Sequence, residues 1–250
     1  MAAIALFMMT SCSDDDSNST NEQTASKLTK VTVTDIDGSF TSTLSYNGNK
    51  LATIIDSDGT KNTITYTGDL VTQWVATDSS NELLWKDIYQ YNSQNQLVNF
   101  YELDYEEFLH TKTTYVHNAD GTISYTEYAS GSDDLNSFTE KSIEGILTAT
   151  TMSIVHEDDF TEQYTYAFDG KNSPFKGITG FDKIGFAGTD GSTKYYIENV
   201  TSQSWAHSGA TPVVENTTTY TYNAANYPTK EVVTNVANPT QISTTEYLYE

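Results

Sequence analysis

Residues 39–51 read SFTSTLSYNGNKL. Phe40, Leu44 and Tyr46 share one side of an extended chain, and Ser and Thr fill the alternate positions. Successive side chains of a strand point to opposite faces, so this period of two marks a half-buried strand. Asn47-Gly48 supplies a tight turn, and Lys50-Leu51 opens the next extended run. Working outward, Lys61–Tyr66 places Ile64 and Tyr66 on one face, and Glu82–Tyr91 places Leu83, Trp85, Tyr89 and Tyr91 on one face. Thr, Tyr, Val and Ile dominate these runs and suit a pleated surface. Asp37-Gly38, Asn47-Gly48, Asp58-Gly59, Gly68-Asp69 and Asp120-Gly121 punctuate them. Such pairs are favoured where both central residues of a hairpin turn take positive φ. Connections this short join antiparallel neighbours, because parallel strands need crossovers of about a dozen residues or more. No capped amphipathic helix is apparent.

The expected fold is therefore all-β: one antiparallel meander of about 12–16 strands, strongly curved or barrel-like. The chain of 250 residues is long enough to bury a sizeable core. Its 12 Lys plus Arg against 34 Asp plus Glu give a net charge of −22, which disfavours nucleic-acid and polybasic membrane-surface binding. Hydrophobic residues make up 37%, and 18 Tyr, 10 Phe and 3 Trp provide the bulk for a core. A single Cys excludes an intrachain disulfide.

A loose repeat runs through the domain. Tyr46 precedes Asn47-Gly48-Asn49-Lys50-Leu51, Tyr66 precedes Thr67-Gly68-Asp69-Leu70, and Tyr91 precedes Asn92-Ser93-Gln94-Asn95-Gln96-Leu97. Tyr115 precedes Asn118-Ala119-Asp120-Gly121, Tyr166 precedes Asp169-Gly170, and Tyr222 precedes Asn223-Ala224-Ala225-Asn226. The tyrosine ends a strand, polar residues turn, and an apolar residue starts the next. This pattern resembles YD-repeat sequences. It is most similar to Bacteroidetes surface lipoproteins with a domain of unknown function, and Tyr164–Phe175, YTYAFDGKNSPF, is the most distinctive part of the likeness. The resemblance covers roughly residues 28–250 and implies an all-β, porin-like fold with no activity to carry over.

The first residues form an address. Residues 1–11, MAAIALFMMTS, are apolar and uncharged, too short to span a bilayer as a helix but suited to the core of a signal peptide. Such a signal ordinarily opens on Lys or Arg, so this one is expected to be truncated. Met9-Thr10-Ser11-Cys12 resembles a lipobox, which implies lipidation of Cys12 as the mature N-terminus. Ser13, Asp14, Asp15 and Asp16 resemble the acidic export signal of surface lipoproteins in Bacteroidetes. Two or more acyl chains, at about 0.8 kcal/mol per buried CH2, anchor stably. The expected location is the outer membrane, lipid-anchored and surface-exposed. Residues 12–27 read as a polar, acidic tether, and residues 28–250 as a single β domain.

Residues 169–192, DGKNSPFKGITGFDKIGFAGTDGS, break the strand rhythm. They exceed a hairpin loop and read either as a functional loop or as a plug carrying Phe175, Phe181, Ile184 and Phe186 into the core.

No site stands out by motif. Asp35-Ile36-Asp37-Gly38 and Asp56-Ser57-Asp58-Gly59 look like the start of calcium loops, but position 12 falls on Tyr46 and Thr67 rather than Glu, so they read as turns. The four His lack zinc spacing, and no metal or cofactor is expected. No nucleophile elbow or phosphate loop appears, and catalysis is not expected. Aromatic residues offer a binding platform. Trp85 is in phase with Leu83 and Tyr89 and reads as core, whereas Trp205, in the irregular stretch Ser202–His207, and Trp74 are the candidate ligand-binding residues. The expected role is a non-catalytic binding or structural module at the cell surface. The alternatives are a glycan-binding lipoprotein serving polysaccharide uptake and an unrecognised hydrolase. The expected partners are the membrane, through lipid on Cys12, and a glycan or protein ligand, with no nucleic acid.

Overall fold

The computed structural model describes residues 27–106, 108–188 and 192–250. The expected signal peptide, Cys12 and Ser13–Asp16 lie outside the described residues. Sixteen strands follow one another: β1 (Leu28–Asp35), β2 (Gly38–Asn47), β3 (Lys50–Asp56), β4 (Lys61–Thr67), β5 (Leu70–Thr77), β6 (Leu83–Tyr91), β7 (Leu97–Asp104) and β8 (His110–His117) in the first half. The second half holds β9 (Ile123–Ser130), β10 (Glu140–Leu147), β11 (Thr151–His156), β12 (Thr161–Phe168), β13 (Val200–His207), β14 (Val213–Tyr222), β15 (Pro228–Asn235) and β16 (Ile242–Tyr249). Each pairs antiparallel with its successor, and β16 pairs with β1, so the meander closes into a barrel. Closure removes the two unpaired edges that an open sheet of this length would present.

Six hairpins use one turn. Gly59, Asn81, Asn95, Gly121, Asp159 and Asn226 all take positive φ at the same place in the loop. In each, that residue's N–H donates to the carbonyl three residues back, as Asn95 does to Asn92 and Asn226 to Asn223. This is the three-residue loop that ends in a left-handed residue, and Gly, Asn and Asp enter that region at least cost. The two-residue turns differ from the sequence reading. At Asn47–Lys50 and Thr67–Leu70, Gly48 (φ 62°) and Gly68 (φ 57°) occupy the first central position, and the second central residue is not left-handed. Only one positive φ is required there, so glycine alone decides the turn.

The tyrosines of the repeat have a structural role. At the first inward residue of many odd-numbered strands the register slips by one residue, as at Leu28, Leu51, Val71, Leu97, Val200 and Pro228. Such a bulge disrupts the ladder locally. A hydroxyl from the end of the next even-numbered strand then donates to the carbonyl of the slipped residue. Tyr46 reaches Leu28 at 2.7 Å, Tyr91 reaches Val71 at 2.7 Å, and Tyr249 reaches Pro228 at 2.8 Å. Tyr220 reaches Val200 at 2.8 Å, and a ring nitrogen of His117 lies 2.8 Å from the Leu97 carbonyl. The same tyrosines and apolar residues form a band of core around one end of the barrel.

That end is sealed by residues 169–188 and 192–199, between β12 and β13. The segment contains a 3₁₀ turn at Phe181–Lys183 and buries Ile178, Phe181, Ile184 and Phe186 among the wall residues. It is pinned to several hairpins: the Thr179 N–H donates to Asn49, the Asn172 N–H to Asn226 and the Thr193 N–H to Thr148. The Gly188 N–H donates to the Tyr115 hydroxyl. At Gly180 (φ 83°) a Cβ would lie 2.6 Å from the Asp69 carbonyl, so glycine permits the close approach. The irregular segment is thus a plug, longer than residues 169–192.

Much of the outer wall is polar, apart from an outward apolar patch of Ile88, Tyr101 and Leu103 that Phe138 covers. On β4 the exposed Lys61, Thr63 and Thr65 alternate with the inward Asn62, Ile64 and Tyr66, and on β14 the exposed Thr217, Thr219 and Thr221 alternate with inward residues. Lys86, Lys112, Glu144, Lys230 and Glu246 occupy outward positions within their strands. A membrane-spanning barrel presents an apolar band about 25 Å tall to lipid, and a lysine at mid-depth there costs about 2–4 kcal/mol. This wall has the character of a surface that faces water.

Replacing Tyr91 with Phe leaves the Val71 carbonyl without that donor. The expected loss is about 1–1.5 kcal/mol in urea unfolding with an unchanged m-value. A loss below 0.3 kcal/mol, on the same order as measurement error, would remove the clamp from the account of stability.

Candidate functional site

Above the plug the inward face turns polar, and the wall from β2 to β7 carries the most organised group. Asp56 accepts from the Ser42 hydroxyl at 2.6 Å and from the Asn62 amide at 3.0 Å. The Asn62 carbonyl oxygen in turn accepts from Trp74 Nε1 at 3.0 Å. This relay across four strands fixes the Trp74 indole, which is also tilted against Phe181 of the plug at 5.9 Å. Trp85 lies 6.1 Å from Trp74, ring centre to ring centre.

Two carboxylates stand beside this pair. Asp87 is two residues from Trp85 on the same inward face, and Glu102 is its cross-strand partner on β7. Directly opposed residues bring their Cβ atoms within about 5.5 Å. The Tyr89 hydroxyl donates to Asp87 at 3.0 Å. Burial, reinforced by the nearby Glu102 charge, pushes the Asp87 carboxyl up to about 8, with the Tyr89 hydrogen bond opposing the shift. These side chains, with Ala187, Gly188 and Tyr196 of the plug, line a cavity of about 260 Å³ that opens to solvent, where Glu102 is exposed.

A second cavity of about 300 Å³ lies between the plug and the opposite wall, lined by Gln203, Asn216, Tyr220, Glu231 and Tyr247. Tyr247 donates to Glu231, and burial raises the Glu231 carboxyl above its ordinary value. On the plug side, Lys194 pairs with Glu198 at 2.9 Å.

The two candidate tryptophans are not brought together. Trp74 sits on β5 and Trp205 on β13, eight places round a barrel of sixteen strands. The stretch around Trp205 is regular strand rather than irregular chain. Trp205 faces inward, half-buried, between the cross-strand partners Tyr164 and Val213, with its ring 5.5 Å from His207. Trp85 is half-buried and lines the first cavity. Asp87 and Glu102 escaped the sequence reading because carboxylates are abundant. The signal was phase: Asp87 shares its face with Trp85 and Tyr89, and Glu102 shares its face with Phe100, where an acid is out of place. Among the described residues no group of three His, Cys, Asp or Glu is placed to hold a metal ion.

No protein-family model and no curated protein matches the chain. Among solved structures it is similar to a porin-like protein from Bacteroides uniformis ATCC 8492, at 16% identity and a TM-score of 0.48. That alignment covers 89% of this chain and 96% of the other.

The raised Asp87 carboxyl has a consequence for stability. Its folded value of about 8 lies above its ordinary 3.8, so the folded chain holds this proton more tightly than the unfolded chain. The contribution is complete below pH 3.8 and is lost as pH rises towards 8. Asp87→Asn is therefore expected to narrow the fall in melting temperature between pH 5 and pH 9, most of the gain appearing at the alkaline end. Parallel pH profiles for variant and wild type would refute the assignment.

Proposed function

We propose that the chain is a lipid-anchored surface protein of the outer membrane, with its barrel serving as a non-catalytic binding module. Lipid on Cys12 holds it to the membrane, and residues 13–27 tether the domain in the aqueous phase. One observation carries the binding role. The barrel is plugged by its own chain, yet it keeps a cavity beside Trp74 and Trp85, whose rings are fixed by hydrogen bonding and packing. A wall bearing Thr, Lys and Glu on the outside and a lumen sealed at one end by the plug do not suit a conducting pore.

The glycan reading is favoured by the pairing of indole rings with hydrogen-bonding side chains in one cavity, since the rings offer apolar faces and Asp and Glu read hydroxyls. The hydrolase reading has one observation in its favour, the juxtaposed Asp87 and Glu102, because glycosidases work with two carboxylates whose proton affinities differ.

A panel of polysaccharides and oligosaccharides, read by tryptophan fluorescence and followed by a reducing-sugar assay, separates these readings. The binding module predicts a saturable shift that Trp85→Ala reduces at least tenfold in affinity, with no release of reducing ends. Release abolished by Asp87→Asn would replace the module with a hydrolase. A saturable shift untouched by Trp85→Ala but lost in Trp205→Ala would move the site to β13.

A further inference from the structure

The barrel sorts its charges. Six of the seven strand lysines, Lys30, Lys61, Lys86, Lys112, Lys141 and Lys230, occupy outward positions, and Lys50 stands at the end of β3. Asp56, Asp87, Glu102, Glu127, Glu162 and Glu231 occupy inward ones. Cα–Cβ bonds alternate along a strand, so this division follows from sequence phase alone. Its effect is a lumen wall that carries carboxylates but no lysine at these positions, while the outer face mixes lysines with acids such as Glu144 and Glu246. Low-dielectric walls focus the field of such carboxylates.

Within that lumen the cavity beside Trp74 and Trp85 combines three features. Two indole faces line it, two carboxylates meet at its wall, and its lining residues include no lysine or histidine. Indole is the strongest aromatic partner for a cation, because the negative face of its ring attracts positive charge, and the interaction grows when water is excluded. A carboxylate beside the ring adds a direct ion pair in a partly desolvated setting. An anion would be repelled.

Resting on the reading of the barrel as a binding module, we propose that this cavity takes an organic cation, an ammonium-bearing small molecule, with its charge between the indoles of Trp74 and Trp85 and the carboxylates of Asp87 and Glu102. The groups that face Asp87 are Tyr89 on its own strand, Glu102 on β7 and Tyr196 on the plug, and Trp74 on β5 is uncharged. None of these supplies a cation. Asp87 therefore holds a proton near neutral pH, and an arriving ammonium group favours its ionised form. Binding releases a proton, and affinity rises from pH 6 to pH 8.5.

Calorimetric titration of the full chain with choline, set against its uncharged isostere 3,3-dimethylbutan-1-ol, tests this directly. The two probes share shape and differ in charge. The expected result is saturable choline binding at least tenfold tighter than that of the isostere. Proton release should appear as a dependence of the observed heat on the buffer's ionisation enthalpy. Glu102→Gln, close to isosteric, is expected to weaken choline at least fivefold without changing the isostere. Equal affinity for the two probes, or no saturation with choline, overturns the proposal. If choline fails while a neutral oligosaccharide saturates the same tryptophan signal, the cation class falls and the binding module stands. If neither binds, both fall.

Discussion

The barrel depends on a hydrogen bond between a tyrosine hydroxyl and a backbone carbonyl about twenty residues earlier in the chain. At five of the odd-numbered strands that begin on a register slip, an aromatic side chain from the following even-numbered strand caps the carbonyl left at the edge of the ladder, as Tyr91 caps Val71 and Tyr249 caps Pro228. A buried carbonyl without a partner costs about 1–3 kcal/mol, so the slip and the cap are retained together. The slip adds local twist, and the cap ties the slipped strand to the neighbour that follows it. Repeated round the wall, this unit supplies curvature of one sense, and a curved meander of sixteen strands closes on itself. The last use of the unit lies at the seam, where Tyr249 stands opposite Leu28.

The tyrosine ring has a second consequence. With a slipped apolar residue and an aromatic recurring at most of the hairpins, the inward band at that end is apolar, and it needs an apolar filling. Phe181 and its neighbours in the plug provide it, so the segment that interrupts the repeat completes what the repeat creates. Inward positions beyond the reach of the plug cannot be apolar without leaving a void. They are polar, and they hold the carboxylates and the half-buried indoles.

Much of this was legible in the residues, and the limits have physical causes. Period-two runs such as Ser39–Tyr46 and turns such as Asp58-Gly59 gave antiparallel strands and an upper bound of sixteen, which the structure reaches. The tyrosine repeat was visible, but its partner is a main-chain carbonyl and has no letter in the sequence. Closure was left open because the pairing of β1 with β16 joins residues more than two hundred positions apart. Asn47-Gly48 was read one position out, since a dipeptide does not show which of its residues is central. The stretch around Trp205 looked irregular because polar residues fill both phases of β13. Asp87 was hidden among 34 acids, though its phase with Trp85 and Tyr89 set it apart.

The central claim is that this barrel faces water on its outside and is closed inside. Partition of the full chain carrying Cys12→Ala between aqueous and detergent-rich phases of Triton X-114 tests that claim most directly, with planar-bilayer conductance as its complement. The account predicts recovery in the aqueous phase with no channel current, because Thr, Lys and Glu interrupt the outer wall and the plug seals one end of the lumen. Recovery in the detergent phase together with stepwise conductance would contradict it.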